Sequence, residues 1–482
     1  MMDFKKACQI ALDCSKSFGA SYADIRIEQT ENETVSVKNG TPEPINCSTS
    51  LGFGIRVTAN GSWGFASNPD LTAKNIKNTA KLAIEMAKAA SLLAKEDVVL
   101  SPLEKIVDTY LTPIRKNPFE VSLKEKIEYL LFLDQLMQKV QGANITNSFM
   151  DFSRTNKIFS SSIGSFLEQT IYQSGAGIEA TAMQGGHKNM QTRTYPQNSG
   201  QYQTKGYELI EELGLQENAS KIAQEAVALL SAKDCPQGIT DLILDGSQLS
   251  LQIHESIGHP LELDRVFGSE RNFSGTSFAT PDKLNNLKYA SEIVNVINDS
   301  TYPGGLGTFG YDDEGVKANK SYLIRGGLLV GYLGSREYAA KIAKESNGCM
   351  RAQGWQNLPI VRMTNTNLLP GNKTLEQMIA EIDDGIFMST PASWSIDDTR
   401  DNFKMGCEIG WEIKSGKLGE MIKNPSYSGN TIRFWNSCDA IANENYWKIW
   451  GTPNCGKGQP GQIMTVSQGA SPVRFRKVSV GE

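Results

Sequence analysis

The 482-residue chain contains only three histidines, His187, His254 and His259, and two of them flank a glutamate in residues 251–264, LQIHESIGHPLELD. These residue types suit metal-assisted hydrolysis. Imidazoles bind a zinc-like ion, and a neighbouring carboxylate takes a proton from the attacking water. In the familiar zinc-protease pattern the two histidines lie four apart, on one helical face. Here they lie five apart, as HExxxH. At about 100° per residue a regular helix would carry the second ring roughly 140° from the first. Two local features could bring them together: a π-turn that widens the helix, or a helix end at which Gly258 turns left-handed and Pro260 blocks continuation. Spacing alone also fits two ordinary surface or core histidines, and it supplies no third ligand.

The elements that must position this motif are legible in outline. Residues 241–245, DLILD, read as a strand, and Gly246-Ser247 as the N-cap of the helix that follows, with Leu249, Ile253 and Ile257 buried. Upstream, residues 2–18 have helical apolar spacing and end at Gly19. Strand patterns follow at 22–29, 34–40 and 51–67, with Asn39-Gly40 and Asn60-Gly61 as tight hairpin turns. A helix is expected over about 71–94. Ser122 to Glu125 is a capping box opening a second one to about Val140. Strands at 144–154, 156–162, 165–175 and 177–183 and a helix at 217–231 complete this half, a layout that hints at duplication. Cys235-Pro236-Gln237-Gly238 reads as a linker. The expectation is an α+β chain in two parts: residues 1–235, with units of about 1–110 and 111–235, and a predominantly β catalytic domain over 236–482.

Composition excludes some functions. The chain has 48 Lys and Arg against 53 Asp and Glu, a net charge of −5, which gives no basic surface for nucleic acid. No apolar run is long enough for a membrane span, and the first residues lack a basic start and apolar stretch, so a cytoplasmic protein is expected. The eight cysteines show no CxxC and are expected to be mostly small buried hydrophobes.

Several stretches together, HESIGHPLELD, GTFGYDDEG (307–315), LPIVRMTNTNLLPG (358–371) and NCGKGQPGQIMTVSQGASPVRFRKVSVG (454–481), resemble the TldD/PmbA (TldE) metallopeptidases, long labelled modulators of DNA gyrase. The likeness covers the C-terminal half closely and the N-terminal half in layout. It implies the missing ligand, a cysteine in a CGK context, here Cys455. The implied site is Zn2+ held by His254, His259 and Cys455, with Glu255 activating the zinc-bound water. Retention of all four resembles the catalytic TldD subunit rather than its non-catalytic sister. The resemblance also implies a peptide substrate, unfolded or flexible, and a sheltered site in a homodimer or a heterodimer with a TldE/PmbA-like subunit. The family's arginine-paired passage appears here as SNGCMRAQGW (346–355), where Cys349 reads as packing.

Other residues stay open at this level. Glu262 and Asp264 either orient an imidazole or lie in a solvated helix exit. Asp312, Asp313 and Glu314 read as a loop before Gly315 rather than as a second metal site. His187 reads as a surface residue. Arg362 and Asn365 either bind peptide main chain or hold a turn. Two other functions compete with the peptidase: a non-peptidase regulator with a structural zinc, and a hydrolase of a non-peptide amide.

Overall fold

A computed structural model describes residues 3–185 and 189–481; His187 lies outside the described residues. The first helix, α1 (Phe4–Ser17), leads into β1 (Tyr22–Lys38), β2 (Asn46–Ala59), β3 (Ser62–Asn68) and α2 (Ala73–Ser91). Next come β4 (Val107–Leu111), α3 (Leu123–Gln138), β5 (Ala143–Ser161), β6 (Phe166–Gln184), β7 (Asn189–Tyr195), β8 (Gln201–Gln203) and α4 (Leu215–Leu229). Together with the two-residue strand Thr41–Pro42, these strands form one nine-stranded sheet. Its main path runs β3-β2-β1-β5-β6-β4.

Both Asn-Gly pairs turn as expected. Asn39 and Gly40 have φ of 49° and 77°, and Asn60 and Gly61 have 51° and 74°, the positive pair that a two-residue hairpin needs. The capping box at Ser122 and Glu125 forms, with each side chain on the other's backbone N–H. Strand lengths depart from the expectation. The 22–29 and 34–40 patterns are one 17-residue strand. The four patterns from 144 to 183 are two strands of 19 residues each. Polar residues in the middle of these strands looked like breaks, yet they sit on long strands that pair with each other throughout. A helix–strands–helix arrangement occurs twice, and antiparallel β1–β5 pairing joins the two copies into one sheet.

The remaining half is built on β9 (Gly238–Leu244), β10 (Asp384–Ile396), β11 (Asn402–Lys414), β12 (Lys417–Lys423), β13 (Ser426–Asn430) and, at the C-terminus, β16 (Val473–Val480). The helix α5 (Gly246–Ile253) follows β9, and the hairpin β14 (Lys448–Lys457) and β15 (Gln462–Ala470) precedes β16. The sheet order β12-β11-β10-β9-β16-β13 closes on itself, because β13 also pairs with β11. Leu249 and Ile253 of α5, with Ile257 just beyond, join Met388, Met405, Tyr427 and Phe475 from these strands in one buried cluster. This α+β architecture, helices on antiparallel sheet followed by a mostly β half, agrees with the sequence. No described helix is long and apolar enough to cross a membrane.

The 312–315 stretch is a turn, as the sequence suggested, but a buried one. Asp312, Asp313 and Glu314 are all buried, and Asp313 and Glu314 face cations of the nine-stranded sheet. Arg56 bonds Asp24 at 2.7 Å and Glu314 at 3.1 Å, and Lys157 bonds Asp313 at 2.8 Å. Asp312 instead accepts the backbone N–H groups of Glu314 and Val316, each at 2.9 Å. An acidic run is legible in sequence, but its partners lie some 150 to 290 positions away and are not. Removing one partner from a buried pair strands the other charge, at about 3–5 kcal/mol. Arg56→Ala should therefore lower unfolding stability in urea by an amount of that order, and a loss within the scatter of surface substitutions would refute the pairing.

Candidate metal centre

The N-cap of α5 is Asp245, one residue before the expected Gly246-Ser247. The Asp245 carboxylate accepts the Ser247 N–H at 3.2 Å and caps the helix. Regular winding ends at Ile253, and His254–Gly258 forms a π-turn in which the His259 N–H donates to the His254 carbonyl five residues back. A 3-10 turn, His259–Leu261, follows. Of the two expected ways to converge the rings, the molecule uses the widened turn. Gly258 keeps right-handed angles, φ −59° and ψ −68°. Glycine is needed there for proximity instead, since a Cβ would lie 1.9 Å from the Met363 sulfur. Around the widened turn, the Ser256 carbonyl accepts from the Tyr289 hydroxyl at 2.5 Å, and Trp435 Nε1 donates to Ser256 Oγ at 2.9 Å.

The π-turn brings the two imidazole centroids to 4.8 Å with planes at 84°. Cys455, on β14, completes the cluster: its Sγ lies 3.2 Å from His254 Nε2 and 3.5 Å from His259 Nε2. The donor atoms of all three buried residues lie within 4.8 Å of one another. Tetrahedral zinc, with Zn–S about 2.3 Å and Zn–N about 2.0–2.1 Å, places sulfur and nitrogen donors about 3.6 Å apart. The donor set and its spacing fit such an ion.

The surrounding charges hold these donors in place. Glu262 Oε2 lies 2.8 Å from His259 Nδ1, so Nε2 faces the cluster, and Glu262 Oε1 accepts the Met363 N–H at 3.1 Å. Lys457, wholly buried, donates to Asp264 Oδ1 at 2.6 Å and to the Val361 carbonyl at 2.5 Å, and sits 3.3 Å from Glu262. Asp264 Oδ2 accepts the Val361 N–H at 3.2 Å. Glu262 thus orients an imidazole directly, and Asp264 acts one step further out through Lys457. Arg362 donates to the Cys455 carbonyl at 2.5 Å, holding the strand that carries Cys455 from behind. Asn365 braces a turn, bonding the Asp299 carbonyl at 2.7 Å and Thr308 at 2.8 Å. Arg351, the arginine of the 346–355 passage, bonds the carbonyls of Met363 and Thr465. Cys349 is buried outside the cluster, and burial pushes its thiol up.

Glu255 is buried beside His254, and its Oε2 accepts from Arg400 Nη1 at 2.5 Å. Neither Arg400 nor Lys457 was singled out from sequence. Lys457 had a signal in its place two residues after Cys455; Arg400, in the polar run 397–402, had none.

Electrostatics separate the three donors. Burial works against the Cys455 thiolate, but His254, Arg362 and His259 outweigh it and hold the thiol well below its ordinary value. Burial opposes protonation of His254 too, yet the Cys455 charge pushes that group up to about 9. Burial drives His259 down, well below its ordinary value.

The α+β fold thus carries a buried His-His-Cys cluster beside a glutamate on a widened HExxxH turn, an arrangement that could hold a metal ion. Sequence comparison agrees. The model described as the PmbA/TldA metallopeptidase C-terminal domain matches residues 237–482, and that of PmbA/TldA metallopeptidase domain 1 matches residues 23–87. A metalloprotease of Methanocaldococcus jannaschii is 31% identical over 454 residues, covering 94% of this chain and 95% of that one. One from Methanothermobacter thermautotrophicus is 29% identical over 466 residues, 95% of each chain. A zinc metalloprotease TldD homolog of Saccharolobus solfataricus is 22% identical, over 97% of this chain and 98% of its own. TldE from Thermococcus kodakarensis shares the fold at a TM-score of 0.76 and 17% identity, over 99% of this chain and 100% of that one. The chain belongs to the TldD/PmbA metallopeptidase family, and it is a metallopeptidase of the TldD type.

The charge separation has a measurable consequence in metal-free protein. The folded value of His254, about 9, lies above its ordinary 6.5, so its stabilisation is full below about 6.5 and is lost as pH rises through about 9. Cys455 has the opposite sign: its folded value lies below its ordinary 9.0, so its stabilisation is full above about 9 and is lost as pH falls through the folded value. Chelator-treated protein should therefore show ultraviolet thiolate absorbance at neutral pH that Cys455→Ser abolishes. Absorbance that first appears in the ordinary thiol range would contradict the pairing.

Proposed function

We propose that this protein is a zinc-dependent peptidase of unfolded or flexible peptides, with His254, His259 and Cys455 as the metal ligands and Glu255 as the general base. The observation that carries the reading is the buried cluster of three mutually close donors with a carboxylate one residue from the first. When bound, zinc supplies Lewis acidity, polarising the scissile carbonyl and lowering the pKa of water towards neutrality. The chain's own groups do the rest. Glu262 keeps His259 Nε2 directed at the metal position, Arg362 fixes the strand that presents Cys455, and Glu255 takes the proton of the attacking water. As the new C–O bond forms and the C–N bond breaks, the same carboxyl returns that proton to the leaving amine. A purely structural zinc would be closed by a fourth protein ligand. Among the described residues the cluster offers three, which favours the catalytic reading.

The division near residue 235 fits this work: the first half shelters the site and the second carries it. We further propose a cytoplasmic dimer, with a second copy or a TldE-like subunit, that admits extended chains and excludes folded ones. The TldE neighbour supports a partner of that shape.

Glu255→Gln should abolish casein cleavage while elemental analysis still finds one zinc per chain; cleavage retained in that variant would overturn the mechanism. Cys455→Ser should instead lose the metal, because a hydroxyl is a poor ligand at neutral pH, and full zinc there would remove Cys455 from the site. Mass measurement of the purified chain, paired with digestion of one substrate protein folded and unfolded, tests the enclosure. A monomer degrading both forms equally would exclude it.

A further inference from the structure

Arg400 stands out among residues with no assigned role. It is a non-glycine residue with φ of 66°, a left-handed conformation that costs about 1–2 kcal/mol. Such outliers persist where the surroundings over-determine them, and here they do. The Arg400 N–H donates to the Asp397 carbonyl at 2.9 Å. Asp397 in turn accepts the backbone N–H groups of Asp401 at 2.8 Å and Asn402 at 3.0 Å. On one side, the Thr431 hydroxyl donates to the Arg400 carbonyl at 2.8 Å. On the other, the segment that follows the metal-binding turns is hooked on by two backbone bonds, Thr276 N–H to the Asp398 carbonyl at 2.7 Å and Phe278 N–H to the Thr399 carbonyl at 2.9 Å. The loop is staked to both neighbours.

What this backbone delivers is a guanidinium aimed at one carboxylate. Arg400 Nη1 meets Glu255 Oε2 at 2.5 Å, with the two side chains 12% and 7% exposed. Arg400 Nε is buried with no hydrogen-bond partner, so the side chain is not placed for its own satisfaction. A loop built only for stability would bring the guanidinium to acceptors for all its donors, or leave it in water. A base must be held in hydrogen-bond reach of the proton it takes, and a misplacement of about 1 Å can cost about 10²-fold in rate.

We propose that Arg400 is a positioning residue for the peptidase reaction: its left-handed backbone and staked loop hold the Glu255 carboxylate in the orientation from which it takes and returns the proton. This rests on Glu255 being the base. One oxygen is tied to the guanidinium and the other is left to face the water and the amine. Arginine and lysine are not equivalent here, because the guanidinium is planar and presents its donor in a fixed direction, whereas an ammonium is a compact point charge on a flexible stem.

Arg400→Gly tests this, since glycine tolerates the left-handed backbone and leaves room for a free guanidinium ion. In zinc-loaded protein the expected result is a loss of about 10²-fold in kcat, with KM and zinc content little changed. Millimolar guanidinium chloride should restore part of kcat in that variant and none in Arg400→Lys, whose own kcat should lie between the two. A second readout needs no activity. In chelator-treated protein Arg400→Gly should destabilise the parent chain to urea but not the Glu255→Gln background, where no charge is left unpaired. Unchanged kcat in Arg400→Gly while Glu255→Gln is inactive would overturn the role of Arg400 and leave Glu255 as base; an active Glu255→Gln would overturn the base itself. Lost zinc in Arg400→Gly, or the same destabilisation in both backgrounds, would make Arg400 a structural strut and reject the proposal. If Arg400→Gly does not fold, Arg400→Lys decides, and wild-type kcat there rejects it too.

Discussion

Two imidazoles five residues apart cannot face one point from a helix wound at 3.6 residues per turn, and the rest of the site follows from how the chain meets that constraint. The helix gives up one turn of regular winding. Its carbonyls then need other donors, and Tyr289 and the His259 N–H supply them. The wider turn must also let another strand approach, which is why residue 258 has no side chain and Met363 lies against it. Met363 belongs to the segment that carries Arg362 and whose backbone meets Glu262 and Asp264. The same distortion that aligns the rings therefore seats the residues that orient them.

Burial makes that arrangement demanding. A thiol, three carboxylates, a lysine and two arginines lie largely out of water within a few bonds of the donors, and each charge alone would be costly there. They persist as alternating signs: Lys457 between Glu262 and Asp264, Arg362 behind Cys455, and Arg400 on Glu255. The pattern favours the thiolate of Cys455, while burial disfavours the protonated form of His259, and thiolate and neutral imidazole are the forms that bind metal. The second buried ionic system, between the nine-stranded sheet and residues 312–314, works at a larger scale. It ties the half without the cluster to the half that has it, so the sheet that would wall the site cannot slide freely over it.

The sequence by itself determined the local grammar. Asn-Gly turns and the capping box at Ser122 are short-range features, and each formed as written, because turn angles and caps depend on residues a few positions apart. It also determined that the HExxxH helix had to deform, since winding angle is arithmetic. What it left open was which deformation. The choice of a π-turn over a left-handed exit came from packing against Met363, a residue more than a hundred positions away. Strand lengths were decided the same way. Polar residues that read as breaks in 144–183 sit on two long strands, because pairing along both edges holds them extended.

The charged residues mark the boundary most clearly. Cys455 could be nominated only through family likeness, since nothing local ties it to His254 two hundred positions earlier. The burial of Asp313 and Glu314 was not legible because their cations are scattered over β1, β2 and β5. Arg400 carried no signal at all, lying in a run of polar residues like any surface loop. Charge and residue type are written in sequence; which charge faces which is decided only when distant segments fold together, because the energy of a buried ion depends on its partner within a few ångströms.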